Sequence, residues 1–448
     1  MKPFQSVALV GLFMANAATA QSTLQAYIEE GLKNNQELLQ HTLTVDANEY
    51  ALAEAKGLYM PTVNLESNYT LADGGRTINF PIGDLLNPVY TSLNQITDQQ
   101  QFQTIENVNE QFFLNDFHDT KFRFIQPLFN SDIYYSQKAQ QGVLTASMAK
   151  KEAYQTELIK EISVAYFNYW QLEQAINIYD ANGRTLQALV DFNQTRLREG
   201  QITADELYRA EFELAQLKAD KAGVYAQKAT AQAYFNFLLN RDYRSEILLD
   251  STLNVLPLTQ REVADPVADA IGNRHEISEV RAAKEAQVQV IKMARGSKLP
   301  QINSVVDWGY QGEGYRFDGD QNYWLVNIGF SWNLFKGFQN KNKVQRAHIQ
   351  LQTLESQEKQ LASRIALEVT QSRQEFNASK RRFQAKEYAH RSAKKNFNIV
   401  HSQYQESQAL LVEFLDAQST LLEAQLDLNI AKYDLFINNA QWERAMAY

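Results

Sequence analysis

The stretch Tyr323-Trp324-Leu325-Val326-Asn327-Ile328-Gly329-Phe330-Ser331-Trp332-Asn333 puts Trp324, Val326, Ile328, Phe330 and Trp332 on one side of an extended chain. Asn327, Gly329, Ser331 and Asn333 fall on the other. Successive strand residues point to opposite faces, so the spacing predicts a strand over about 323–334 with one aromatic-rich face. Three further segments repeat the pattern. Over 62–71, Val63, Leu65, Tyr69 and Leu71 oppose Asn64, Glu66, Asn68 and Thr70. Over 301–310, Ile302, Val306, Trp308 and Tyr310 oppose Asn303 and Asp307, and over 121–128, Phe122 and Phe124 oppose Lys121 and Arg123. Dyad-repeat segments of about ten residues are the mark of outer-membrane barrel strands. Taken alone, they fit a soluble four-stranded sheet with one buried face equally well.

The remainder of the chain tilts the choice towards the barrel. Residues 1–20 read as a secretory signal: Lys2 gives a positive start, Val7 to Met14 an apolar run, and Ala18-Thr19-Ala20 a small-residue cleavage site. No later segment approaches the roughly 18 apolar residues of a membrane-spanning helix. A membrane role therefore falls to strands in a closed barrel, where every backbone polar group is paired. The absence of Cys excludes disulfides, thiolate metal sites and lipid attachment at cysteine. The formal charge is −9, or −10 once Lys2 leaves with the signal, so a basic nucleic-acid footprint is missing. Four strands cannot close a barrel, since such barrels begin at about eight, and this reading therefore demands an oligomer.

The chain also repeats itself, which is sought before local motifs. Leu32-Lys33-Asn34-Asn35-Gln36-Glu37-Leu38 returns as Ile271-Gly272-Asn273-Arg274-His275-Glu276-Ile277, 239 positions on, and the same offset pairs Gly57 with Gly296 and Pro61 with Pro300. Later the offset falls to 206 and 207, pairing Leu128-Phe129 with Leu334-Phe335, Glu206 with Glu413 and Leu214 with Leu421. The expected organisation is a signal (1–20), a first repeat (21–240), a connection (241–267) containing Pro257 and Pro266, and a second repeat (268–448). Each repeat holds a helix, two strands (about 62–71 and 121–128; about 301–310 and 323–334), a very long helix (131–200; 336–406) and a shorter one (203–240; 410–447).

The helices carry coiled-coil spacing. Leu158, Ile162, Ala165, Tyr169, Leu172, Ile176, Tyr179, Gly183, Leu186 and Val190 alternate steps of four and three, as do Leu410, Phe414, Ala417, Leu421, Ala424 and Leu428. The mean step of 3.5 keeps one stripe facing a neighbour. Residues 131–200 span roughly 105 Å as a helix, against about 57 Å for 203–240. The shortfall matches the helix expected over 23–57, so each long helix is expected to lie against two shorter ones end to end.

These features resemble the outer-membrane efflux (TolC) family over essentially the whole mature chain. The resemblance rests on the duplicated plan, the Pro-ended helix before each first strand, Gln126-Pro127-Leu128-Phe129, and the segments Arg198-Glu199-Gly200-Gln201-Ile202-Thr203 and Val412-Glu413-Phe414-Leu415-Asp416-Ala417-Gln418. It implies a mostly α fold with a β-barrel part: a homotrimer whose four strands per protomer make a twelve-stranded barrel, continued by a helical periplasmic tunnel. The implied role is a passive outer-membrane channel of Gram-negative cells, in a tripartite efflux or type I secretion system. Its partners would be a periplasmic adaptor, an inner-membrane pump of RND, ABC or MFS type, and outer-membrane lipid. Two other readings of the residues are a periplasmic adaptor and a structural coiled-coil protein of an envelope-spanning complex. The paired hairpins argue against the first and the aromatic strands against the second.

By the same resemblance, Asp205, Glu206, Tyr404, Glu413 and Asp416 are candidates for a periplasmic gate, and the turns at Gly200 and Ser407 for adaptor contact. Clustered carboxylates at a constriction favour cations, though acids at a helix start also serve the helix dipole. Ser407 stands where the family commonly has glycine, and Ala409 where close relatives carry a cross-protomer arginine, so the family's latch does not transfer. In the barrel, Asn64, Glu66, Asn68, Asn303, Asp307, Asn327 and Ser331 are expected to face the lumen. Val63, Leu65, Trp308, Trp324, Val326, Ile328, Phe330 and Trp332 are expected to face lipid.

The first repeat holds an insertion, about 72–120, rich in Asn, Gln and aromatics including Phe80, Tyr90, Phe102, Phe112 and Phe113. It is expected to be an outer loop, either a partial lid that shields its aromatics from water by folding over or into the mouth or a surface decoration or receptor site. The six His show no ligand spacing, His118-Asp119 included, and no phosphate loop or nucleophile elbow occurs. The sequence implies neither enzyme nor cofactor.

Overall fold

The computed structural model describes residues 23–111, 115–249 and 264–447. The expected signal, Phe112, Phe113 and Pro257 lie outside them. The first half runs through α1 (Thr23–Asn34), α2 (Gln36–Gly57), β1 (Thr62–Leu71), β2 (Thr77–Phe80), α3 (Ile82–Thr97), β3 (Val108–Gln111), β4 (Asp116–Phe129), α4 (Ser131–Arg198) and α5 (Ala204–Leu238). The second runs through α6 (Pro266–Asn273), α7 (His275–Gly296), β5 (Gln301–Glu313), β6 (Asn322–Ser331), α8 (Gln339–Gln405) and α9 (Leu411–Ala445). Two units emerge among the described residues, one from 23–48, 143–249, 264–284 and 353–447, the other from 49–111, 115–142 and 285–352, with α2, α4, α7 and α8 contributing to both.

In the helical unit, Leu158, Ile162, Ala165, Tyr169, Ile176 and Leu186 are buried as their spacing predicts. So are Tyr166, Phe167 and Trp170, which the stripe omits. The reason is that α4 is packed on two sides. Tyr166 meets Phe235 of α5 at 6.0 Å between ring centres. Phe167 meets Phe436, and Trp170 meets Tyr433, both of α9, at 5.3 and 5.6 Å. A single heptad stripe describes one neighbour; a second neighbour needs a second row.

The helix expected over 23–57 is instead two, broken at Asn35. The Asn35 Oδ1 accepts from the amides of Glu37 and Leu38, both at 3.0 Å, and so caps α2. Its Nδ2 donates to the Leu238 carbonyl at 2.9 Å. The second half breaks at the equivalent residue: Arg274 separates α6 from α7, and its guanidinium is 5% exposed between Glu276 (2.7 Å) and Glu368 (3.2 Å). Arg444 joins the same group, reaching Glu157 and Glu276 at 2.7 Å and Glu368 at 3.3 Å. Lys160 pairs with Glu157, so three cations offset three carboxylates.

The strand-bearing unit contains an antiparallel four-stranded sheet of order β1-β4-β5-β6, with β1 and β6 as its free edges. Pro127 lacks a backbone donor, and the β4–β5 register shifts between Pro127 and Phe129. The Gln126 side chain donates to the Tyr59 carbonyl at 2.8 Å, tying β4 to the chain that enters β1. Two expectations are corrected here. The segment 72–120 is no plain loop: β2 and β3 pair antiparallel, α3 lies between them, and β4 begins at Asp116. The last strand ends at Ser331 rather than near 334, and Trp332 beyond it donates its indole N–H to the Lys298 carbonyl at 2.9 Å.

Candidate functional site: the two-faced sheet and the helical turns

Residues directly opposite in an antiparallel pair share a face, so the register sorts every strand side chain. Val63 opposes Phe124 and Leu65 opposes Phe122, Phe122 opposes Trp308, and Trp308 opposes Trp324 with Val306 opposite Val326. Across these pairs the face is apolar and bare: Leu65, Trp324, Ile328 and Phe330 are each at least 63% exposed. Apart from Trp332, all the residues expected to face lipid lie on it.

Asn64, Glu66, Asn68, Asn303, Asp307, Asn327 and Ser331 share the opposite face by the same register. Its centre is an ionic ladder that the alternation did not reveal. Arg123 donates to both oxygens of Asp307, at 2.8 and 2.7 Å, and lies 3.0 Å from Glu66. Asp119 takes an ion pair from Lys121 and accepts from the Tyr323 hydroxyl at 2.8 Å. Asp307 is only 2% exposed, and its bidentate guanidinium partner satisfies the charge. The pairing signal was present as opposite charges on neighbouring strands, but the register needed to match them was not. His118 and Asp119 point apart. The buried imidazole bonds Gln321 at 2.8 Å and sits under Tyr315 and Phe317 of the β5–β6 turn.

In the helical unit, the turns after α4 and α8 have one geometry. The Gln201 amide bonds the Arg196 carbonyl at 2.9 Å and the Gly200 amide the Leu197 carbonyl at 3.0 Å. The Gln408 amide bonds Gln403 at 2.8 Å and the Ser407 amide Tyr404 at 3.1 Å. Gly200 has φ +71° and Ser407 φ +60°, the left-handed residue that closes a Schellman helix end. Serine thus occupies a conformation that favours glycine, and its hydroxyl accepts from Arg196 at 3.3 Å.

Tyr404 is buried, and its hydroxyl donates to the Asn193 Oδ1 at 2.7 Å. Arg196 stacks over both Phe192 and Tyr404. Phe192, Asn193 and Arg196 of α4 therefore grip Tyr404 and Ser407 beside α8, a set that no local motif announced. Burial pushes the Tyr404 phenol above its ordinary pKa. Glu413 and Asp416 are exposed, and the Glu413 carboxylate accepts from the Leu410 amide at 2.8 Å, capping α9. Asp205 is exposed and Glu206 half-buried in the first turn of α5. Ala409 packs at the edge of the Tyr404–Phe414 cluster.

Among the described residues no group of three or more His, Asp or Glu is placed to hold a metal ion, and no helix is long and apolar enough to cross a membrane.

Residues 267–447 match the family model described as Outer membrane efflux protein. The chain is 21% identical over 460 residues to the Outer membrane protein TolC of Escherichia coli (strain K12), across 98% of this chain and 85% of that protein. Its fold is similar to that of the outer membrane protein VceC from Vibrio cholerae, with TM-score 0.76 and 18% identity over 95% of this chain and 96% of the other. It is also similar to the Campylobacter jejuni CmeC outer membrane channel, with TM-score 0.77 and 14% identity over 95% and 85%.

Proposed function

We propose, for a chain that belongs to the outer membrane efflux protein (TolC) family, that it is the outer-membrane channel of a tripartite efflux or type I secretion system, conducting passively from the periplasm to the exterior. The sheet carries this reading. Its bare face suits contact with hydrocarbon, its other face is polar and ion-paired, and both edges lack partners among the described residues. Open edges cannot persist in lipid, so copies must complete the sheet, and a homotrimer gives twelve strands. An adaptor or a soluble coiled-coil protein has no use for an aromatic sheet face of this kind. The channel would work with a periplasmic adaptor and an energised inner-membrane pump, the adaptor meeting the turns at Gly200 and Ser407.

Tyr404, Asp205, Glu206, Glu413 and Asp416 form the proposed gate. Tyr404 holds α8 to α4 through Asn193, and the exposed Glu413 and Asp416 would give the constriction a negative rim. Expressed in a Gram-negative host, the protein should fractionate with the outer membrane, migrate heat-modifiably on gels and conduct in planar bilayers. Glu413→Ala with Asp416→Ala should widen the conductance and weaken its cation preference. Recovery as a soluble periplasmic monomer would overturn the channel; an unchanged conductance in the double variant would return the two acids to helix capping and solvation.

A further inference from the structure

Helix α3 is patterned inside out. The face turned to its own chain is polar: Asn87 bonds both the amide and the carbonyl of Ile105 at 2.9 Å, and seven residues on Asn94 does the same to Phe102 at 3.0 and 2.8 Å. Asn107 reaches back to Asp84, accepting from its amide at 3.0 Å and donating to its carboxylate at 2.9 Å. Tyr90 stacks on Phe102 at 5.6 Å. Gly83 completes this face, for a Cβ there would sit 2.4 Å from the Ile105 carbonyl. The helix is thus bolted along its length to the segment 102–107. Ile82, Leu85, Leu86, Val89, Leu93 and Ile96 recur at helical spacing on another arc. Leu85 is 70% exposed, Val89 50% and Ile96 80%. A rigid helix that spends its asparagines inward and shows its aliphatics outward is built to be covered.

We infer that a second copy of this chain covers the stripe. Two observations choose this occupant. First, the excursion that carries α3 leaves directly from the end of β1, an edge strand whose free side must receive the next copy, so it starts at the seam between copies. Second, the charge is wrong for an anionic lipid surface. Helices that lie on membranes are rich in Lys and Arg, whereas α3 has neither, and residues 72–111 carry Arg76 against Asp73, Asp84, Asp98, Glu106 and Glu110. In a ring of copies the contact is head-to-tail, one stripe per seam. It extends the subunit interface beyond the barrel to an insertion that only the first half of the chain possesses.

The inference rests on the oligomeric channel reading, and the test separates the two. p-Benzoylphenylalanine in place of Leu85 or Ile96 should photocross-link two copies of the purified full chain in outer-membrane vesicles; in place of Thr91 or Gln95, on the solvent arc, it should not. The chain has no cysteine, so a nitroxide on Val89→Cys reports on that position alone. It should be shielded from both oxygen and a water-soluble nickel complex. Oligomers trapped by lysine cross-linking, with no photoadduct from either stripe position, would overturn the copy contact while leaving the channel intact. High oxygen and low nickel access at position 89 would do the same and assign the stripe to lipid. Failure of lysine cross-linking to trap any oligomer would overturn the channel reading, and this inference with it.

Discussion

Asn35 and Arg274 occupy equivalent places in the two halves, and each stops a helix that would otherwise run on, but by opposite means. Asn35 is neutral and works through backbone groups, capping α2 with one atom and holding the Leu238 carbonyl with the other. Arg274 is charged and works mainly through carboxylates, joining α7, α8 and the end of α9 through Glu276, Glu368 and the Ala445 carbonyl. The repeated motif that exposed the duplication is therefore a structural joint. Its backbone solution is common to both halves and its chemistry is not.

The contrast is breakable. Arg444→Ala would leave Glu157, Glu276 and Glu368 with one fewer cation among them, and breaking such a partly buried network costs about 2–3 kcal/mol. Arg444→Lys should recover only part of this, because an ammonium lacks the fork that spans several carboxylates. Asn35→Ala removes a cap and a buried acceptor's partner, and about 2 kcal/mol is expected. Guanidinium-free denaturation of the purified protein with urea, at low and high salt, measures both. The Arg444 loss should shrink as salt screens the wild-type network, and the Asn35 loss should not. Equal salt dependence would erase the distinction between the two joints.

The same comparison shows what could be read from residues alone. Alternation located all four strands of the main sheet, since one face is apolar along its middle from Val63 and Leu65 to Trp324 and Val326, and the scarcity of Pro and the 3.5-residue stripe located α4, α5, α8 and α9. The break at Asn35 was invisible because Ile28, Gly31, Asn35 and Leu38 keep the three-and-four spacing of a helix straight across it; the signal is a buried asparagine's side chain, which needs a partner 203 positions away. Helix α3 was missed because its inward face is polar, the reverse of the rule by which helices are recognised. The tip residues Tyr404, Glu413 and Asp416 came from family likeness, whereas Asn193 and Arg196, which hold Tyr404, lie 211 positions from Tyr404 and Ser407 and follow from packing alone.

A smaller effect is expected at Tyr404. Tyr404→Phe keeps the ring against Phe192 and Phe414 but leaves the buried Asn193 oxygen without its donor, costing about 1–1.5 kcal/mol. Alkali should mimic the variant. Because burial raises the phenol's folded-state pKa above 10, its contribution is complete below pH 10 and is lost as pH rises through the higher folded value. Conductance of the closed channel measured from pH 8 to 11 should rise at the alkaline end in the wild type and stay flat there in the variant.

The two turns sharpen the comparison most finely, for here the halves share a backbone and differ by one side chain. Gly200→Ser forces a β-carbon into a left-handed conformation with no compensating partner, and should cost about 1 kcal/mol. Ser407→Gly relieves the same strain, but it frees the unfolded chain and deletes the hydroxyl that accepts from Arg196, so its net effect on stability should stay within about 0.5 kcal/mol. The readout that separates strain from contact is conductance, through the proposed gate. If Ser407 is retained for its bond between α8's turn and α4, Ser407→Gly should raise closed-channel conductance at nearly unchanged stability, and Ser407→Ala, which keeps the strain and loses the bond, should raise conductance and lower stability together. A Ser407→Gly channel that is more stable yet no leakier would mean the hydroxyl contact is incidental, and that the second half merely tolerates a residue the first half does not.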